Sequence, residues 1–123
     1  MKQKITTIRG VVRPGQGRGA EVGARTANLD VALADGLVKG LYSCEVKIAG
    51  IRFRGLLYYG INSLTGDDCL EVHVLAFEGE LVGKEVVVKT QQYLRPEKKF
   101  ATVAELQAQV RKDISMVMSC SSK

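Results

Sequence analysis

Between Cys69 and Phe77 the chain alternates apolar and polar residues with a period of two. That is the repeat of a β-strand, whose successive side chains leave opposite faces. Leu70, Val72, Val74 and Ala76 fall on one face, and Glu71 and His73 on the other. Further strands are predicted over residues 5–12, 40–48, 51–59 and 85–90, the last carrying Val86-Val87-Val88. Ala49-Gly50 joins two of them as a hairpin. Ala34-Asp35-Gly36 and Glu78-Gly79-Glu80 read as turns, and residues 60–68 as a polar loop. Near the end the period changes. Thr102 is placed to cap a helix, with Glu105 three residues on completing a capping box. Leu106, Val110, Ile114 and Val117 then recur at helical spacing, and Arg111 and Lys112 lie late in the helix, where cations complement its dipole. Several closely spaced strands and one terminal helix predict a mostly β fold: a small closed antiparallel barrel with the helix packed outside.

With 123 residues, 46% of them hydrophobic, the chain suits a single domain spanning 1–123, its core at about residues 5–118. No apolar run approaches the ~18 residues of a membrane helix. The polar opening lacks the apolar stretch of a secretory signal, so the cytoplasm is the expected compartment. Cys44, Cys69 and Cys120 are odd in number and lack metal-ligand spacing, so they read as plain thiols. The net charge of +5 favours an anionic partner without naming one.

Two segments carry possible chemistry. Gly15-Gln16-Gly17-Arg18-Gly19 offers backbone that approaches a phosphate closely. It is not a Walker loop, because no Gly-Lys-Ser/Thr follows, and no amphipathic helix follows as a dinucleotide fold requires. Taken alone it reads as a flexible hairpin tip rather than an anion site. In Thr26-Ala27-Asn28, an extended backbone turns both oxygen-bearing side chains to one side. Such a pair suits a hard cation such as Mg²⁺ and also suits an ordinary turn. Glu71 is either a solvated strand residue or, if its face lines a pocket, a base able to take a proton from a hydroxyl. His73, the only histidine, shares that face.

Taken in order, four blocks resemble the riboflavin kinase family of bacteria and eukaryotes. They are Arg9-Gly10-Val11-Val12 with the glycine loop; Gly23-Ala24-Arg25-Thr26-Ala27-Asn28; Glu71-Val72-His73-Val74 followed by Phe77 and Gly83; and Leu94-Arg95-Pro96-Glu97-Lys98-Lys99-Phe100 with Leu106 and Asp113. Gly40-Leu41-Tyr42 resembles a further family segment. The resemblance spans residues 5–118 and implies a six-stranded barrel that transfers the γ-phosphate of ATP to the ribityl 5′-hydroxyl of riboflavin, giving FMN and ADP. It implies Thr26 and Asn28 as Mg²⁺ ligands and Glu71 as the base. Gly15, Gly17, Arg18, Gly19, Thr26, Asn28, Val74 and Val82 would surround the nucleotide; Arg95, Lys98, Phe100 and Thr102 would border the flavin. A monomer without nucleic-acid or membrane partners is expected. The sequence departs from the family at Arg25, where a Pro is usual, at Tyr58-Tyr59-Gly60, and at Ser63-Leu64-Thr65. Two alternatives stay open: a catalytically impaired flavin- or nucleotide-binding barrel, and a nucleic-acid-binding β-barrel, against which the scarcity of aromatics counts. A free-standing kinase and a fragment of a longer protein fit equally.

Overall fold

The computed structural model describes residues 5–14, 24–61, 66–96 and 102–120. Six strands follow one another: β1 (Thr7–Val11), β2 (Ala24–Leu29), β3 (Gly40–Ile48), β4 (Ile51–Ile61), β5 (Asp68–Leu75) and β6 (Glu85–Arg95). A 3₁₀ turn, Val31–Ala34, follows β2, and a helix, α1 (Val103–Cys120), ends the chain. The strands make one antiparallel sheet in the order β1-β6-β3-β4-β5-β2. The sheet curls into a half-barrel. Among the described residues its two edges meet at one backbone bridge, where the Arg13 N–H donates to the Asn28 carbonyl over 2.8 Å.

The alternation that defines β5 also builds the core. Leu70, Val72 and Val74 point to the concave side, where they meet Ile8, Ala27, Leu29, Val46, Leu57, Val86 and Val88. These side chains are almost wholly aliphatic, and burying each is worth about 1.5–3 kcal/mol. A second, smaller cluster lies on the convex side. Leu41, Leu56 and Leu75 are buried there against Tyr58, Leu94 and Ile114 of α1. Of the predicted helical stripe, Ile114 is seen in this contact; the side chains of Leu106, Val110 and Val117 lie outside the described residues. The helix begins as its capping signal requires, with the Glu105 N–H donating to the Thr102 hydroxyl over 3.2 Å.

Several boundaries differ from the sequence expectation: β1 is shorter at both ends, Thr7–Val11 against residues 5–12, and β5 begins at Asp68. β4 runs on to Ile61. β5 stops at Leu75, because Ala76 turns to φ 62°. β6 continues five residues past the expected Thr90 to Arg95, through two register shifts against β3. A bulge inserts a residue and bends the strand, which hides a strand from a search for strict alternation. Here it has a positional effect. Neighbours in a regular strand point to opposite faces, yet Leu94 packs in the convex cluster and the adjacent Arg95 bonds Asp113 of α1.

The β3–β4 hairpin closes at Ile48↔Ile51 through Ala49 (φ 52°) and Gly50 (φ 83°). Two successive positive φ values define the type I′ turn that matches strand twist. Gly takes this conformation freely, whereas alanine is strained by about 1 kcal/mol. Ala49→Asn should therefore raise the urea-unfolding free energy by about 0.5–1 kcal/mol with an unchanged m-value. A loss of stability would show that the turn needs the smaller side chain.

Candidate active site

Among the described residues β2 is an edge strand whose one ladder is with β5, and its register decides what faces what. Ala27 stands opposite Val72 and Leu29 opposite Leu70, and these four small or aliphatic side chains sink into the core. Thr26 is thereby placed opposite His73, and Asn28 opposite Glu71, on the convex side. Directly opposed residues in an antiparallel pair carry their side chains on the same face, within contact distance. On its other flank β5 pairs with β4, which sets Tyr58 opposite Glu71 and Leu56 opposite His73. The Tyr58 hydroxyl donates to the Ile61 carbonyl over 3.0 Å. The site is thus a patch of four polar side chains, Thr26, Asn28, Glu71 and His73, bordered by Tyr58.

Thr26, Asn28 and Glu71 are half-buried, whereas His73 is buried at 7% exposure. Nδ1 of His73 lies 3.2 Å from the Thr26 hydroxyl oxygen. Burial pushes the imidazole down to about 4, against a smaller upward pull from the Asp113 carboxylate. The ring is therefore neutral at pH 7. Asp113 accepts from Arg95 Nη2 at 2.8 Å and Nε at 3.3 Å, and from Gln109 Nε2 at 3.0 Å. A fork of this kind is the geometry in which guanidinium and carboxylate bind best.

The predicted residues divide by position. Thr26, Asn28 and Glu71 come together. Gly15, Gly17, Arg18, Gly19, Lys98 and Phe100 lie outside the described residues. The base of the glycine loop nevertheless reaches the patch, since Arg13 bridges Asn28. Val82 is exposed in the turn whose Gly83 N–H and Lys84 carbonyl bond to Val12. Val74 is fully buried in the core and offers no side-chain surface to a ligand. Arg25, opposite Val74, is exposed. The Arg95 guanidinium engages Asp113 and the Pro96 carbonyl, and Thr102 caps α1. Sequence reasoning gave little weight to His73 and did not place Asp113 or Gln109 near the site. The i, i+4 spacing of Gln109 and Asp113, with Asp113 beside Ile114 of the apolar stripe, is the signal that points to them.

The donor set is one of oxygens. Thr26 and Asn28 offer two neutral side-chain oxygens beside the Glu71 carboxylate. Among the described residues no three His, Cys, Asp or Glu side chains gather to hold a metal. A hard cation that takes few protein ligands and completes its shell with phosphate and water, as Mg²⁺ does, fits such a set; a thiophilic metal does not.

The family model for riboflavin kinase (flavokinase) matches residues 2–121. The chain belongs to the riboflavin kinase family. Among its relatives is the bifunctional riboflavin kinase/FMN adenylyltransferase of Listeria monocytogenes, 37% identical over 112 residues that make up 87% of this chain and 35% of that protein. The RNA-binding riboflavin kinase RibR of Bacillus subtilis is 28% identical over 92% of this chain and 50% of its own length. A crystal structure described as a macrolide-efflux protein from Streptococcus pneumoniae superposes with a TM-score of 0.69 at 28% identity, covering 89% of this chain and 37% of that one. The riboflavin kinase domain here thus spans about a third of the length of its bifunctional relative. Among the described residues no helix is long and apolar enough to cross a membrane.

Protonating His73 is costly in the folded domain and free in the unfolded chain, whose imidazole titrates near 6.5. Between about 6.5 and about 4 the unfolded state therefore holds more protons, and stability falls as pH drops through that window. Urea-unfolding free energies measured at pH 7, 5.5 and 4.5 should decline more steeply for the wild-type domain than for His73→Asn, by up to about 1.4 kcal/mol per pH unit. Parallel declines would show that the ring is solvated in solution.

Proposed function

We propose that this domain phosphorylates riboflavin, using ATP to make FMN and ADP. The observation that carries the reading is the cross-strand set of Thr26 and Asn28 facing His73 and Glu71, in a chain that matches the riboflavin kinase family along almost its whole length. Phosphoryl transfer asks little covalent chemistry of a protein. It requires alignment of the phosphates, neutralisation of their charge, and an acceptor for the hydroxyl proton.

Each requirement has a residue. Thr26 and Asn28 would hold Mg²⁺, which when bound neutralises and aligns the phosphates of ATP. The glycine loop, with Gly15, Gly17, Arg18 and Gly19, would cover those phosphates, with Val82 beside it; Val74 supports this edge from within the core. Glu71, opposite Asn28, directs the 5′-hydroxyl of riboflavin at the γ-phosphorus. The new O–P bond forms as the bond to the β-phosphate oxygen breaks. The hydroxyl proton passes to the Glu71 carboxylate, and ADP leaves with the electron pair. Lys98, Phe100 and the α1 end of the site, fixed by Arg95 and Thr102, would border the flavin. In this reading the curled sheet closes as a barrel at the Arg13–Asn28 bridge, and the domain acts as a cytoplasmic monomer.

Purified protein incubated with riboflavin, ATP and Mg²⁺ should yield FMN. Absence of FMN with ATP or CTP, and with either Mg²⁺ or Zn²⁺, defeats the reading; tight single-stranded RNA binding in its place would promote the nucleic-acid alternative. Glu71→Gln should lower kcat by roughly 10²–10⁴ with little change in substrate affinity, the loss characteristic of a positioned base. A near-normal kcat would return Glu71 to the status of a solvated strand residue.

Thr26 gives an independent check. Thr26→Ala should weaken Mg-nucleotide binding and turnover together, while Thr26→Ser, which keeps the hydroxyl, should be mild. Riboflavin affinity without nucleotide should stay close to wild type. Equal damage from the two substitutions would assign the effect to the lost methyl group rather than the oxygen.

A further inference from the structure

A metal-binding threonine presents two difficulties that the fold has to answer. Its hydroxyl rotates among three staggered positions, only one of which aims oxygen at a given point. The hydroxyl also carries a proton, and a lone pair is open to a cation only when that proton points elsewhere. Thr26 sits half-buried on an edge strand, where neighbouring strands hold it from one side only.

His73 answers both. It stands opposite Thr26 in the β2–β5 register, with Nδ1 at 3.2 Å from the threonine oxygen. The ring is itself held: it is buried, flanked across β4 by the fully buried Leu56, and acted on from α1 by Asp113, which Arg95 and Gln109 fix in place. A neutral imidazole with its hydrogen on Nε2 has Nδ1 free to accept. Resting on the metal reading above, we propose that His73 is a positioning residue for the nucleotide–metal site, accepting the Thr26 hydroxyl proton at Nδ1 so that the threonine oxygen is turned to the cation. The ring meets Thr26 at the metal edge of the sheet, and the Arg95–Asp113 pair on the helix side acts on it electrostatically. His73 touches neither substrate; its effect passes through Thr26.

A histidine that merely fills space under a helix would behave differently, and three variants separate the two roles. His73→Asn keeps a polar atom near the Nδ1 position. His73→Gln moves it to about the Nε2 position, and His73→Leu removes it. Affinity for ADP is measured by calorimetry with and without Mg²⁺, beside riboflavin affinity and the melting temperature. His73→Gln and His73→Leu should bind Mg-ADP about tenfold more weakly, the change that loss of one neutral hydrogen bond supports. His73→Asn should stay within about threefold of wild type, and metal-free ADP and riboflavin should bind each variant within about twofold of wild type. Adding Thr26→Ala to His73→Gln should weaken Mg-ADP binding no further than Thr26→Ala alone.

The wild-type protein supplies a readout free of folding effects. It has one histidine, so ¹⁵N-histidine labelling gives one imidazole, and its Nδ1 resonance should shift with Mg-ADP but not with ADP alone. Wild-type Mg-ADP affinity in His73→Gln, with Thr26→Ala impaired, overturns the positioning role and leaves the metal reading standing. Parallel losses for Mg-ADP, free ADP and riboflavin also overturn it, in favour of a purely structural histidine. Wild-type affinity in Thr26→Ala overturns the metal reading and the positioning role with it.

Discussion

The pairing of β2 with β5 is the constraint on which the site depends. In this ladder every second residue of β2 enters the core, and the residues between face the convex side. A slip of one position would send Thr26 and Asn28 inward and turn Ala27 and Leu29 outward, exchanging buried aliphatic surface for buried, unpaired polar groups. Burial of Ala27 and Leu29 therefore fixes the register, and the register in turn sets Asn28 against Glu71. The apolar and polar halves of β2 are one device: the core residues locate the strand, and the strand locates the oxygens.

A second element holds the other side. Among the described side chains α1 meets the convex cluster through Ile114, and the ion pair of Arg95 with Asp113 orients it. A buried pair of this kind adds little net stability over an apolar replacement, since both charges give up water. It does fix direction. Asp113 is buried, and any other placement of the helix would leave its carboxylate uncompensated. The β6 bulge is what allows Leu94 and Arg95 to serve the same side, one with apolar area and one with charge.

Much of this was legible in the residues. The period of two in β5, the Ala49-Gly50 turn and the Thr102 cap each express a local rule, and each is where the rule places it. What escaped were effects of the third dimension. Alternation in β5 suggests a wet face at Glu71 and His73. That face is instead partly roofed by α1, so His73 is buried and becomes a partner for Thr26 rather than a solvated base. The far half of β6 breaks alternation at its register shifts, so the predicted strand ends at Thr90. The resemblance places Arg95 by the flavin; that its guanidinium is bonded to Asp113 was not legible, because Asp113 comes near only when the helix folds back. Val74, flanked in sequence by chemically eventful residues, is core for the plain reason that it falls on the even positions of β5.

The β3–β4 hairpin carries a different kind of consequence. Tyr58, opposite Glu71, lies eight residues beyond Gly50, or about 26 Å along the strand. The Ala49–Gly50 tip therefore projects from the end of the sheet remote from the Thr26–Glu71 patch, in the sort of exposed turn where chains accept insertion. A fluorescent reporter or a second module spliced there would hang clear of the Thr26–Glu71 patch, and the strands leading to it would keep their ladders. The hairpin thus separates a point of attachment from the polar patch by most of the length of a strand.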